Sequence, residues 1–178
     1  IPAFFRTKFN ANEILTSLML SYVALLILSL LIHGPMKDPD GMSFPQSRMF
    51  SNSAIIPVLF EGTRLHAGWL VSLAVVAAVW VMFSRHFIGF QIRVIGMAPR
   101  AAAFAGFKEK TLVWLSFAIA GAASGLAGLC EVAGPLGQIV PTISPGYGFT
   151  AIIVAFLGRL HPFGILMAAM LIALSYLG

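Results

Sequence analysis

The side chains able to do chemistry in this sequence are few and scattered: six acids, four histidines and one cysteine among 178 residues. Nucleotide hydrolysis needs a Gly-rich loop ending in Lys and Ser or Thr, and no G-x-x-x-x-G-K-[ST] run is present. Neither H-E-x-x-H nor G-x-S-x-G occurs, which leaves no zinc-protease or serine-hydrolase signature. The four histidines are too dispersed for a metal site, and Cys130 has no partner for a disulfide or thiolate ligand set. No cofactor is therefore expected on this chain, and if ATP is used, another chain binds it.

The functional candidates are mechanical ones. Ser84 to Lys110 is a polar-basic stretch between two strongly apolar ones, with Arg85, Arg93, Arg100, Lys108 and Lys110, five of the eleven Lys and Arg, against the single acid Glu109. The positive-inside bias assigns it to the cytoplasmic side. Pro99 suits the first turn of a short helix, where its missing N–H costs nothing, and Ala101, Ala102, Ala105 and Gly106 then form a small-residue face that another backbone could approach. One reading is a docking element through which an energy-supplying partner moves the membrane part. The other is an ordinary connecting loop with a basic fringe.

The elements that must hold this stretch are membrane helices. A chain 59% hydrophobic and 10% charged, with mean hydropathy +0.94, cannot hide its apolar surface in one soluble core. Its basic pI reflects loop Lys and Arg, since a nucleic-acid footprint needs a continuous basic face and none is present. The fold class expected is all-α, one polytopic integral membrane domain over 1–178 with broken or re-entrant helices. Both ends read as cuts through a longer protein.

In chain order, Asn10 and Glu13 stand three apart as an Asn-type capping box, which predicts a helix over about 11–32. The loop after His33 balances Lys37, Arg48 and Arg64 against Asp38, Asp40 and Glu61, as suits an outside segment, and its apolar run Ala54 to Phe60 is too short to span. A second helix is expected over about 65–83, then the basic loop 84–110, then a third helix over about 112–133. Ala118, Gly121, Ala122, Gly125 and Gly128 fall on or near one stripe of that helix, a close-packing seam. Glu131 at its end could face a water-filled cavity and touch solute, or sit in the headgroup zone.

Gly134 to Thr150 holds four glycines, three prolines and no charge, a composition tolerated at membrane depth only where it is buried or lines a cavity. Short helices at about 149–158 and 163–177 follow, interrupted by Gly158, Pro162 and Gly164. They read as a broken pair at a transport site or as one kinked helix. Glu61, Glu131, Gln138, Tyr147, Phe149 and Thr150 are the pathway candidates. Tyr147 and Phe149 could stack on a solute ring or anchor at the interface.

Several runs carry a resemblance. Asn12-Glu13-Ile14 with Thr16-Ser17-Leu18-Met19-Leu20 and Tyr22 is similar to the N-E-[IV]…T-L-M-L-x-Y segment of the membrane subunits of bacterial ABC importers for nucleosides and simple sugars, within the permease family that also serves branched-chain amino acids. Gly34 to Pro39, Ser124 to Gly128 with Glu131 and Gly134, and Gly146 to Ile152 leading to Leu157-Gly158-Arg159 are further matches. Arg93, Gly96, Pro99, Ala101, Ala102, Ala105 and Gly106 look like that family's R-x-x-G-x-N-P-x-A-A-x-x-A-G loop, which inserts into a cleft on the ATPase subunit; Ala98 stands where the family usually has Asn. The resemblance implies ATPase subunits, a second permease subunit, an extracytoplasmic solute-binding protein or lipoprotein, and a bacterial inner-membrane location. An ion-coupled secondary transporter is the rival reading, and it would be expected to carry an acid in mid-membrane.

Overall fold

The computed structural model describes residues 1–39, 41, 44–59, 66–144 and 146–177. Among these, every regular element is helical: α1 (Pro2–Phe9), α2 (Glu13–His33), α3 (Gly68–Arg85), α4 (Phe87–Met97), α5 (Pro99–Phe104), α6 (Glu109–Glu131) continued by a π turn (Val132–Leu136), α7 (Tyr147–Leu157) and α8 (Pro162–Leu177). Three spans, Glu13–His33, Gly68–Arg85 and Glu109–Leu136, are long and apolar enough to cross a membrane. Charge is confined to their ends because a carboxylate or ammonium in hydrocarbon costs several kcal/mol. The chain is an all-α, multi-pass membrane protein.

Contacts divide the chain into two compact units. The first comprises Ile1–Gly68 with Phe90–Ile143, and the second Trp69–Gly89 with Ser144–Gly178.

In the first unit a short helix precedes the one that the capping box predicts. Pro2 sits in its first turn, and Asn10 (φ 49°) ends it in the left-handed conformation. The cap of α2 moves accordingly. Asn12, not Asn10, accepts from the Ile14 and Leu15 amides (2.9 and 3.4 Å), because Asn10 is already committed to closing α1. The Arg6 guanidinium reaches Glu13 (3.3 Å), and the Trp114 indole N–H donates to Thr7 Oγ1 (3.2 Å), fixing α1 against α6. At the other end of α6, a Cβ on Gly68 would lie 3.2 Å from that of Cys130, so residue 68 must be small.

The second unit holds the α7–α8 pair. The interruption at 158–164 breaks the helix in two and does not merely kink it. Leu160 N–H bonds Ala155 O and Arg159 N–H bonds Phe156 O, both at 3.0 Å. That is a Schellman stop with Arg159 (φ 53°) in the position glycine usually takes. Pro162 then starts α8, and Gly158 and Gly164 bring the two backbones into direct contact. The Trp80 and Phe163 rings meet edge-on at 5.6 Å.

Candidate functional site

The basic stretch 84–110 is mostly helical and not an open loop. Phe87 to Met97 carries apolar residues at helical spacing with no proline before position 99, so α4 continues until Ala98 N–H bonds Val94 O (2.8 Å). Gly89 is buried where α4 leaves the end of α3, and a side chain there would strike the Met82 and Phe83 backbone.

Pro99 begins α5 as its composition predicts, and Gly106 (φ 76°) ends it. Gly106 N–H bonds Ala103 O and Phe107 N–H bonds Ala102 O, both at 3.0 Å, which is the same Schellman stop as in α7, here with the usual glycine. Gly106 thus shapes the helix end. Ala98 opens α5 with no side-chain cap, leaving the Arg100 and Ala101 amides without the acceptor an Asn would give. Ala98→Asn is expected to slow amide exchange at those two residues about fivefold, as one added N-cap bond allows; unchanged exchange would show that the loop start is already fixed.

The side chains of α5 do not all face outward. Ala102 is 2% exposed, so it does not add to the exposed small face; α5 contacts α6, and Leu112 in the first turn of α6 is buried as well. Gly96, Pro99, Ala101, Ala105 and Gly106 are exposed, as is Arg93, which has a partner within the chain. Composition did not single out Met97 and Phe104. They are 80% and 94% exposed and are the last residues of α4 and α5, and an apolar excess within a basic segment was the available signal.

The pathway candidates are divided between the units. Glu61 lies outside the described residues. Glu131, in the first unit, ends α6 and has a partner within the chain. Gln138, in the same unit, follows the π turn, and its Nε2 donates to Gln46 Oε1 (3.4 Å). Tyr147, Phe149 and Thr150, in the second unit, form the first turn of α7 after Gly146 (φ 96°), with Phe149 and Thr150 amides bonding Gly146 O at 2.9 and 3.2 Å. Both aromatic rings are half exposed.

Gly121, Gly125 and Gly128 line α6, but a Cβ on any of them would meet nothing within 4 Å. That space is open among the described residues. Beside the loop after α2, a hollow of about 610 Å³ is lined by Lys37, Arg48, Phe50 and their neighbours. No group of three or more metal-ligating side chains is found among the described residues.

Compared with known proteins, residues 1–178 match the family described as branched-chain amino acid transport system / permease component. The glucose ABC transporter permease protein TsgB13 of Haloferax volcanii is 38% identical over 188 residues, covering 100% of this chain and 49% of that protein. The nucleoside ABC transporter permease protein NupB of Lactococcus lactis is 28% identical over 186 residues (100% and 51%). The guanosine ABC transporter permease protein NupP of Bacillus subtilis is 28% identical over 174 residues (97% and 50%). The chain spans about half the length of these curated relatives. No solved structure matches it.

Proposed function

This chain belongs to the branched-chain amino acid transport system / permease component family, and from that premise we propose that it forms part of the solute pathway of an ATP-driven importer for a simple sugar or a nucleoside. The observation that carries the reading is α5. A six-residue helix, started by Pro99 and stopped by Gly106, stands in the chain between α4 and the membrane-spanning α6 with most of its surface uncovered. The relatives that align across the chain are named as ABC transporter permeases for glucose, nucleosides and guanosine.

In this mechanism ATP is bound and hydrolysed on a separate cytoplasmic subunit that grips α5. Movement of that subunit is passed to α6 through the inward-packed Ala102, and the pathway alternates its access between the two sides of the bilayer. A second permease subunit completes the pathway, and an extracytoplasmic solute-binding protein or lipoprotein delivers solute, in a bacterial inner membrane. Gln138 in the first unit, and Tyr147, Phe149 and Thr150 in the second, are all uncharged, as suits a neutral polar solute that offers hydroxyls and a ring face.

The test is uptake by the full-length permease with its ATPase and binding subunits in proteoliposomes, comparing radiolabelled glucose, guanosine and leucine. ATP-dependent uptake of glucose or guanosine, with leucine at background, is expected. Uptake of leucine alone would reassign the solute class. Uptake driven by an ion gradient without ATP would contradict the importer reading.

A further inference from the structure

Behind α6, segments about ninety residues apart in sequence are tied together. The π turn and the residues after it leave carbonyls that the helix does not use, and the loop after α2 takes them up. Ile56 N–H donates to Ala133 O (2.8 Å), Phe50 N–H to Gly137 O (2.8 Å) and Ser47 N–H to Ile139 O (3.0 Å). The Ile139 amide donates in return to Ser47 Oγ (2.8 Å), and that hydroxyl donates to the Arg48 carbonyl (3.1 Å). Ser47 is 4% exposed and stands out as a buried polar side chain. Its hydroxyl satisfies a donor and an acceptor at once, on either side of the joint, which an apolar side chain cannot do.

We propose that Ser47 is a positioning residue for transport: by clamping the Ile139 amide it fixes the backbone next to Gln138, so that the Gln138 amide is presented to solute in one orientation. The side chain of Gln46 holds the same amide from the loop side at 3.4 Å. The inference rests on the reading that Gln138 lines the solute pathway. π turns concentrate at functional sites because the extra residue leaves backbone groups that must be bonded elsewhere. Here the bonding partner is the loop, and the side chain that completes it is Ser47. Loss of the hydroxyl leaves the Ile139 N–H buried without an acceptor and frees the segment to turn.

The experiment measures the KM and maximal rate of ATP-driven uptake, with glucose and guanosine as probes, in the full-length assembled importer. Gln138→Ala and Ser47→Ala are each expected to raise KM, the latter about fivefold, with the maximal rate and the yield of complex kept. The double variant is expected to be no worse than Gln138→Ala alone, since both changes act through one group. Ser47→Thr, which keeps the hydroxyl, is expected to restore the wild-type KM. If Gln138→Ala leaves KM unchanged, the pathway reading fails and the proposal with it. If Gln138→Ala raises KM but Ser47→Ala does not, or if the two effects add fully, the pathway reading stands and the positioning role is wrong. Should Ser47→Ala not assemble, Gln46→Ala carries the same expectation of a raised KM, and an unchanged value there overturns the proposal.

Discussion

Phe104→Asp is expected to abolish solute-stimulated ATP hydrolysis and uptake while the permease remains folded in the membrane. The ring is 94% exposed, so its removal costs the fold little. In the assembled importer it would be the natural apolar anchor of α5 in the ATPase cleft. Loss of a central aromatic anchor typically costs about 2–4 kcal/mol, and at the lower figure the affinity between subunits falls roughly thirtyfold. A carboxylate carried into the same pocket adds its own desolvation cost. Affinity of the purified ATPase subunit for permease in nanodiscs, with ATP turnover on the same sample, gives the measurement. Ala102→Glu is the informative contrast. Because Ala102 is 2% exposed, the added carboxylate must push α5 off its seat, and that variant is expected to lose folded yield as well as coupling.

The second large effect lies at the α7–α8 turn. A Cβ on Gly158 would overlap the backbone of Gly164 and Ile165, and one on Gly164 would overlap the Gly158 carbonyl. These are main-chain atoms and cannot rotate away. Gly158→Ala and Gly164→Ala are each expected to cost about 3 kcal/mol, the upper end of the range for overpacking. Both changes wedge the same contact, so the double variant is expected to cost clearly less than the sum. Urea unfolding in detergent micelles checks this, with Gly125→Ala as control, since a methyl there meets nothing within 4 Å. If Gly158→Ala matches the control, the close approach of the two backbones is not what holds the pair.

Much of this architecture was legible in the residues because its signals are local. Long uncharged runs mark α2, α3 and α6, Pro99 marks the start of α5, and Gly158 with Pro162 marks the break before α8. Charge and apolarity act within a few residues along one chain, so a linear reading captures them. The cap of α2 was misplaced by two residues because Asn10 and Asn12 are both suitable acceptors, and only the existence of α1 decides between them. The inward turn of Ala102 was not legible, since three alanines in a row give no hint of which one the rotation of the helix will bury. The link from Ser47 to Ile139 could not be read at all. Its partners are 92 residues apart and neither sits in a motif. The glycine stripe of α6 has the reverse character: the pattern is plain in sequence, while among the described residues nothing lies within 4 Å of a Cβ at Gly121, Gly125 or Gly128.

The central claim, that α5 is where the energy-supplying subunit takes hold, is tested most directly by a photo-crosslinking amino acid at position 104 in the full-length permease, irradiated in the assembled, ATP-hydrolysing complex. A covalent adduct to the ATPase subunit is expected from position 104, and none from position 102, which is buried. An active complex that gives no ATPase adduct from 104, or that gives one from 102 instead, would contradict it.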